Sequence, residues 1–368
     1  MTLLRQVFFL AIILLPFRLS GQQSDSTAKK DGDLALGIRS ISFIRNNEYF
    51  NPITEGYTLL GFFLRPELVY SPTKKVTLRA GTHLLKYWGT DYFSQVRPVF
   101  SVSLNLPKNT TLTLGSLSGS DKHRMFDPHF SEERLYNEYA EDGFQITSSG
   151  QHFFNDTWLS WENFVFKGDS TREIIAFGES FRYTSSQIGD FMNIEVPVQF
   201  QLKHFGGQIS NYPEPVMTFF NFAGGLKVNF NIAQKRLGRI SLEYLQFINR
   251  EFNGESTSGI SGGSASWARF SYTWRSVSTG AAYWKSHDFY APAGNFIYGS
   301  ISDYNQNDVI HNRRIITNFL SLDLLPESFL QLHLGLETFY DIDLKRIDNA
   351  VTLHLCFDKL IRLTQIKN

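Results

Sequence analysis

Hydrophobic and polar residues alternate along most of this chain with a period of two. In the stretch from Val351 to Phe357, the residues on one face of an extended chain are all apolar, and those on the other are Thr352, His354 and Cys356. Similar runs of roughly 9 to 14 residues recur, separated alternately by brief and longer polar connections. The pattern predicts a series of β-strands that each present one apolar face.

The strand-like runs start at about residue 34 and end at residue 357. They support roughly sixteen strands, and fourteen fit nearly as well. We therefore predict an all-β protein that forms a single transmembrane antiparallel up-and-down β-barrel. An even number of strands returns both ends of the barrel to the periplasm, with short turns there and longer loops outside. The longest predicted extracellular segments are residues 119–141 and 287–310.

Three segments flank the predicted barrel. Residues 1–21 have the parts of a secretory signal, with Arg5, an apolar run from Val7 to Phe17 and small residues at Ser20 and Gly21. Residues 22–33 are polar and expected to be flexible, and residues 358–368 form a tail after the last strand. After the signal no apolar run reaches the roughly 20 residues of a membrane-spanning helix.

The composition narrows the class of protein. Aromatic residues make up 15% of the chain, charged residues 19%, and the mean hydropathy is −0.20, which suits strands with a single apolar face better than a helical bundle. Cys356 is the only cysteine, so no internal disulfide can form. Lys plus Arg equals Asp plus Glu at 35 each, and this balance gives no reason to expect a nucleic acid partner. No cofactor is expected.

Strand alternation places a set of charged residues on the predicted lumen face. They could set the selectivity of an aqueous pore, because fixed charges bias which solutes enter. They could equally pair with one another and fill a closed lumen. The predicted pore-lining residues are Arg65, Glu67, Arg79, Lys203, Lys227, Glu243 and Glu337.

The segment 119–141 is the third extracellular loop in this topology, and its charge and position suit a loop that folds inward and narrows the lumen. The alternative is an ordinary solvated surface loop, since loops are normally polar and exposed. The predicted constriction residues are Asp121, His123, Arg124, Asp127, His129, Glu132, Glu133 and Arg134. Two Asp-x-His spacings in this loop match no strict metal or catalytic motif, so no metal site and no catalytic residue is assigned.

Other candidate chemistry is weak. No Gly-x-Ser-x-Gly elbow occurs, and the neighbours Ser286, His287 and Asp288 are a sequence that a loop readily produces. The protein is therefore expected not to be an enzyme. The tryptophans of the strand regions are interpreted as interface residues rather than sugar-stacking platforms. They are Trp158, Trp161, Trp267, Trp274 and Trp284.

Several stretches together resemble porin-like outer-membrane barrels common in Bacteroidota. They are residues 46–52 (Asn-Asn-Glu-Tyr-Phe-Asn-Pro), the loop from Gly119, the strand from Trp158 to Trp161 and the end at Phe357. The resemblance covers nearly the whole chain after the signal, but most such proteins have no assigned function. This chain departs from the pattern in extending 11 residues, 358–368, beyond the terminal aromatic residue.

These observations predict a multi-pass barrel in the outer membrane of a Gram-negative bacterium that serves as a porin-like channel for small polar solutes. The alternatives are a non-conducting structural or assembly barrel or surface binding platform, an outer-membrane hydrolase, and a soluble secreted β-sandwich lectin. The expected partners are outer-membrane lipid, the barrel assembly machinery and polar solutes. The oligomeric state and the solute are left open.

Overall fold

The computed structural model describes residues 31–366, apart from 208, 210, 214, 233–235, 253–259, 306–307 and 326–327. The predicted signal peptide and most of the predicted flexible segment lie outside these residues. Within the described ranges, no helix has both the length and the apolar composition needed to cross a membrane.

Sixteen strands form one closed antiparallel barrel in which each strand pairs with its neighbours in sequence and β1 pairs with β16. This confirms the predicted fold and the higher of the two strand counts. The strands are β1 (Asp33–Phe50), β2 (Glu55–Thr73), β3 (Val76–Tyr87), β4 (Gln95–Leu106), β5 (Thr110–Ser116), β6 (Asp142–Ser149), β7 (Phe153–Asn163), β8 (Glu173–Thr184), β9 (Met192–Gly206), β10 (Met217–Asn231), β11 (Arg239–Glu251), β12 (Gly262–Trp274), β13 (Val277–His287), β14 (Asn312–Leu324), β15 (Leu330–Asp341) and β16 (Arg346–Gln365).

The period-two pattern separates the two surfaces of the barrel. In β3, Thr77 and His83 point inward and are buried, as the alternation predicts. Large apolar residues of the opposite parity, such as Leu104, Leu114 and Phe270, remain exposed on the outside. Because transfer of apolar side chains from water into an apolar environment is favourable, this outer band suits contact with lipid.

The last strand is longer than the sequence pattern indicates. Residues 358–365 continue β16 without interruption and pair with β1 from Asp358 opposite Arg39 to Gln365 opposite Asp33. The barrel therefore extends past Phe357, and most of the expected C-terminal tail is strand. The pairing of this segment with β1 shifts register at Leu363, because Leu34 lies opposite Thr364 and Ala35 lies opposite Arg362.

Two loops from the extracellular end fold into the lumen. The third loop, residues 117–141 between β5 and β6, contains a short 3₁₀ turn at Ser120–Lys122 and one helical turn at Arg134–Asn137. The seventh loop, residues 288–311 between β13 and β14, contains a 3₁₀ turn at Phe296–Tyr298. The loops bond to each other, with Ser131 N donating to Ala293 O at 2.8 Å and Asn295 Nδ2 donating to Asp127 Oδ2 at 2.9 Å. Together they fill the extracellular half of the lumen.

The filling of this half is largely apolar. The cluster includes inward-facing aromatic residues of five strands and apolar residues of both loops, among them Tyr49, Phe247, Trp267, Trp284, Phe339, Phe126, Phe289, Ile297 and Tyr298. The interpretation of all five tryptophans as interface residues is therefore wrong for Trp158, Trp267 and Trp284, which are buried inside the barrel. Their parity places them inward, and the loops supply the apolar partners that a water-filled lumen would lack.

The periplasmic half of the lumen remains polar and partly empty. One cavity of about 400 Å³ lies beneath the third loop next to β1–β5, and a neighbouring cavity of about 1010 Å³ extends towards β6–β9. The lumen therefore has polar cavities in its periplasmic half, which we call the vestibule, and a packed apolar core in its extracellular half.

Candidate functional site

His123 anchors the third loop to the barrel wall. Its ring is fully buried, with Nδ1 at 2.9 Å from Asp156 and Nε2 at 2.7 Å from Glu141, and it stacks on Trp158 at 3.7 Å between ring centroids. Burial opposes protonation, but the two carboxylates outweigh it and raise the pKa of His123 to about 9. The imidazolium therefore bridges two buried carboxylates and holds the loop inside.

The other predicted constriction residues lie in the same loop and also bond within the lumen. Gln199 of β9 receives the Phe126 backbone N–H at 2.8 Å and lies 3.0 Å from His129 Nε2. Further contacts are Asp121 with Arg39, Arg124 over the ring of Phe154, the Glu132 backbone N–H with Asp127, Glu133 with Arg45, and Arg134 with Glu162. The alternative of a solvated surface loop is therefore wrong.

The predicted pore-lining residues all lie on the inward parity of their strands, and most are neutralised there. Glu67 bridges Arg65 and Arg79, Lys203 contacts Glu162 at 2.9 Å, and Glu243 contacts Arg269 at 3.1 Å. Glu337 contacts Arg45 at 3.3 Å, and Lys227 lies in register between Glu195 and Glu243. Strand alternation identifies these charges in the sequence, but it does not identify their ion-pair partners. Arg45, the partner of Glu337, and Glu162, the partner of Lys203, lie far from them in sequence.

The two Asp-x-His spacings do not converge on one site. His123 bonds to Glu141 and Asp156, whereas His129 bonds to Gln199. Asp127 instead ties the third loop to Asn295 of the seventh. Among the described residues, no group of three or more His, Cys, Asp or Glu side chains is placed to hold a metal ion.

A different cluster of titratable residues lies at the extracellular rim, where β13 ends and β14 begins. Asp288 accepts from His311 Nδ1 at 2.6 Å through Oδ1, and its Oδ2 lies 3.5 Å from His287 Nε2. The imidazoles are 63% exposed, whereas Asp288 is 20% exposed. Because its Nδ1–H donates to Asp288, His311 presents Nε2 to the outside as a proton acceptor. We call His287, Asp288 and His311 the rim cluster.

Hydrogen bonds and a close contact with Gly263 hold the backbone of Asp288 in place. Its N–H donates to His311 O at 2.8 Å, and its carbonyl accepts from Asn249 Nδ2 at 3.2 Å. Its φ is 52°, in the left-handed region that non-glycine residues rarely adopt. Gly263 of β12 lies so close that a Cβ there would be 1.9 Å from Asp288 O. The carboxylate is therefore held in one place between the two exposed rings.

Replacing Gly263 by alanine is expected to destabilise this corner of the barrel by about 1–3 kcal/mol, because the new methyl group would displace the Asp288 backbone. Thermal unfolding in detergent micelles, followed by circular dichroism, measures the effect. Gly37→Ala is the matched control, since a Cβ at that strand glycine meets nothing closer than 3.6 Å. Equal melting of the two variants would contradict the close contact at Gly263.

The outer surface below the rim cluster changes from basic to aromatic. Lys285 and Arg314 are exposed register partners on β13 and β14, about 7 Å along the strand from His287. The next outward row pairs Tyr283 with Ile316 and Ile316 with Tyr340. Outward aromatic residues mark the lipid–water interface in outer-membrane barrels. The two cations and the rim cluster therefore lie at and above headgroup level on the extracellular side.

Part of this cluster is visible in the sequence as the neighbours Ser286, His287 and Asp288. Ser286, which precedes His287, points into the barrel and is buried, so the three neighbours do not form a catalytic triad. The partner that matters, His311, lies at the far end of the seventh loop. The sequence does contain an indication of this contact. His287-Asp288 and His311-Asn312 stand at the two ends of one loop, and antiparallel pairing of the flanking strands brings those ends together.

Solved structures with a similar fold are porin-type barrels. A BenF-like porin from Pseudomonas fluorescens Pf-5 has a TM-score of 0.52 and 8% identity, covering 91% of this chain and 100% of the porin. The outer-membrane protein opdK of Pseudomonas aeruginosa has a TM-score of 0.51 and 9% identity, covering 90% and 100%. At this identity they show the fold alone, a closed antiparallel β-barrel. No curated protein sequence matches this chain.

The sequence matches a family model over residues 25–366, which is nearly the whole chain. That family is described as lipid A 3'-O-deacylase-type, so it is named for an enzyme activity. The expectation that the protein is not an enzyme is therefore wrong; it rested on the lack of a serine-elbow motif, which a hydrolase can do without. This chain is an outer-membrane β-barrel that belongs to the lipid A 3'-O-deacylase-type family.

Proposed function

We propose that this barrel hydrolyses an acyl ester of a phosphorylated glycolipid of the lipid A type in the outer leaflet, at the rim cluster. The observation that carries the proposal is the pair of His311 and Asp288, joined at 2.6 Å and exposed just above the lipid-facing surface. The match to a deacylase-type family supports the reaction class. His123 and His129 of the third loop, in contrast, are fully buried in the lumen.

The geometry suits general-base catalysis. Asp288 fixes the tautomer and orientation of His311, so that Nε2 can take a proton from water as its oxygen attacks the ester carbonyl. The tetrahedral intermediate collapses by breaking the bond between the carbonyl carbon and the sugar oxygen. That oxygen then takes the proton back from the His311 imidazolium, and the products are a fatty acid and a sugar hydroxyl. His287 contacts the other carboxylate oxygen and Asn312, and so positions Asp288.

Substrate binding is assigned to the outer surface rather than to the lumen. Lys285 and Arg314 lie beneath the rim cluster at headgroup level, where they can contact the phosphates of an anionic lipid. Arg314 is also paired with Asp343 at 2.6 Å, which fixes the orientation of its guanidinium. The lipid would reach the site laterally, its acyl chains against the outward row of Tyr283 and Ile316.

The test is the release of fatty acid from lipid A by the folded full-length barrel in mixed micelles, followed by mass spectrometry. Wild-type protein is expected to remove an ester-linked chain, and the Lys285→Ala/Arg314→Ala double variant is expected to raise KM about tenfold with kcat little changed, since it removes only exposed charge contacts. Failure of the folded wild-type barrel to release any chain would overturn the proposal.

A channel for small polar solutes is the second candidate. The polar vestibule of about 1010 Å³ in the periplasmic half favours it, and so does the porin-type fold. Passage would require the packing between the third and seventh loops to open, because together they form an apolar core across the extracellular half of the lumen. This function therefore depends on displacement of the third loop, which variants at His123 probe.

A further inference from the structure

The cavity of about 400 Å³ in the periplasmic half is separate from the rim cluster and lies at the opposite end of the barrel. Its lining reaches residues near the periplasmic ends of β1, β3, β4 and β16 and includes Leu117, Ser118 and Tyr139 of the third loop. Its volume is within the range of ligand pockets, about 300–1,000 Å³. The residues that surround it form two chemically distinct walls.

One wall carries short hydroxyl side chains. Adjacent strands β3 to β5 present Thr77, Ser101, Ser103, Thr111 and Thr113 to the cavity. Ser103 pairs in register with Thr77 on one side and with Thr113 on the other, and Ser103 Oγ lies 3.0 Å from Thr113 Oγ1. These residues are small enough to leave the cavity open. Since hydroxyls both donate and accept hydrogen bonds, the wall suits a ligand that is itself rich in hydroxyls.

The adjoining wall, on β2 and β3, carries an unbalanced positive charge, and its Arg79 pairs in register with Ser101 of the hydroxyl wall. Glu67 is the single carboxylate between Arg65 and Arg79, whose Nη1 is 3.0 Å from Glu67 Oε2, so the group of three has a net charge of about +1 at neutral pH. Arg39, also in the lining, contacts Asp121 at 2.7 Å and Asp358 at 3.3 Å, and Asp121 also contacts Lys122 at 3.2 Å, so these two cations and two carboxylates balance. The unbalanced charge is therefore concentrated at Arg65 and Arg79.

Two buried polar atoms in these walls lack partners among the described residues. They are Nη1 of Arg65, a residue that is 6% exposed, and Oγ of Ser101, which is 1% exposed. A buried polar atom without a partner destabilises the folded protein, because its hydrogen bond to water is lost and not replaced. Both residues line the cavity, one on each wall, and a ligand that bonds to both would remove this cost.

We propose that this cavity binds a small anionic polyol, a sugar acid or sugar phosphate, that enters from the periplasm. Its carboxylate or phosphate contacts Arg65 Nη1 and Arg79, and its hydroxyls contact Ser101 and the neighbouring hydroxyl wall. A carboxylate and a phosphate can each accept two parallel hydrogen bonds from a guanidinium. A sugar acid and a sugar phosphate would therefore be recognised in the same way. An uncharged sugar lacks the group that the charged wall requires.

Isothermal titration calorimetry of the full-length barrel in detergent micelles tests the proposal with four probes: gluconate, glucose 6-phosphate, glucose and inorganic phosphate. At least one of the two anionic sugars is expected to bind at least tenfold more tightly than both glucose and inorganic phosphate. A preference for gluconate identifies a sugar acid, and a preference for glucose 6-phosphate identifies a sugar phosphate. Absence of binding by both, or equal binding of glucose, would overturn the proposal.

Arg79→Gln is the informative variant, because it leaves the Arg65–Glu67 pair in place and the Arg79 side chain is already 39% exposed. It is expected to weaken binding of the anionic sugar at least tenfold. Lys227→Gln, which removes a lumen charge on β10 away from the cavity lining, is the control and should bind as wild type. Equal affinity in wild type and Arg79→Gln would contradict the assigned wall. Lipid hydrolysis plays no part in this titration, so its outcome is independent of the proposed deacylation.

Discussion

Replacing His311 by alanine is expected to lower kcat for acyl-ester hydrolysis by about 10²–10⁴-fold, the usual contribution of a general base. KM should change little, because the imidazole acts on water rather than on the lipid headgroup. Asp288→Asn is expected to have a similar effect, since the amide no longer stabilises the imidazolium that forms on His311. The measurement is the rate of fatty acid release from lipid A in mixed micelles.

The chain offers a matched control for this experiment. His333 Nδ1 also lies 2.6 Å from a carboxylate, that of Asp323, but this pair faces the vestibule at the other end of the barrel. His333→Ala should therefore hydrolyse lipid at the wild-type rate. Loss of activity in His333→Ala with retention in His311→Ala would place the reaction in the lumen and contradict the assignment to the rim cluster.

Replacing His123 by leucine is expected to release the third loop from the lumen. The change removes the cation that bridges Glu141 and Asp156 and leaves two buried carboxylates facing an apolar side chain. Breaking a buried ion pair in this way costs about 3–5 kcal/mol. The expected results are rapid proteolysis within residues 117–141 and an increase in conductance in planar bilayers. Wild-type barrels should resist the protease and conduct poorly.

A second variant separates loss of charge balance from loss of packing. Adding Glu141→Gln and Asp156→Asn to His123→Leu removes the uncompensated charges, so it should restore much of the protease resistance. If the triple variant is as sensitive as His123→Leu, stacking on Trp158 rather than the ion pairs holds the loop. A His123→Leu barrel that stays protected and closed would contradict the anchoring role.

The same anchor predicts a pH dependence. The pKa of His123 is about 9 in the folded protein against about 6.5 in an unfolded chain, so its contribution of about 3 kcal/mol is complete below pH 6.5 and is lost as the pH rises through 9. Burial acts in the opposite direction on His129 and lowers its pKa to about 4, so the stability that neutral His129 contributes declines as the pH falls below 6.5. Protease resistance of the third loop should therefore be greatest near neutral pH.

The alternation of residues determined the barrel almost completely. Successive residues of a strand face lipid and lumen in turn, so the topology and the inward parity of residues such as Arg79 and Lys203 could be predicted without tertiary information, whereas the strand number stayed open between sixteen and fourteen. The alternation does not say what fills the lumen. The tryptophans at 158, 267 and 284 were misinterpreted for that reason, because an inward aromatic residue is stable only when a loop covers it.

Both candidate sites depended on tertiary structure. Asp288 and His311 are 23 residues apart, and only the pairing of β13 with β14 brings their side chains to 2.6 Å. Arg65 and Ser101 come to line one cavity only through the pairing of β2, β3 and β4 and the third loop that covers them. The sequence by itself determined which face of each strand meets lipid, because that choice is local and repeats every two residues. Which side chains meet across a loop or a lumen was decided by the closed barrel, since those contacts join residues that no local pattern relates.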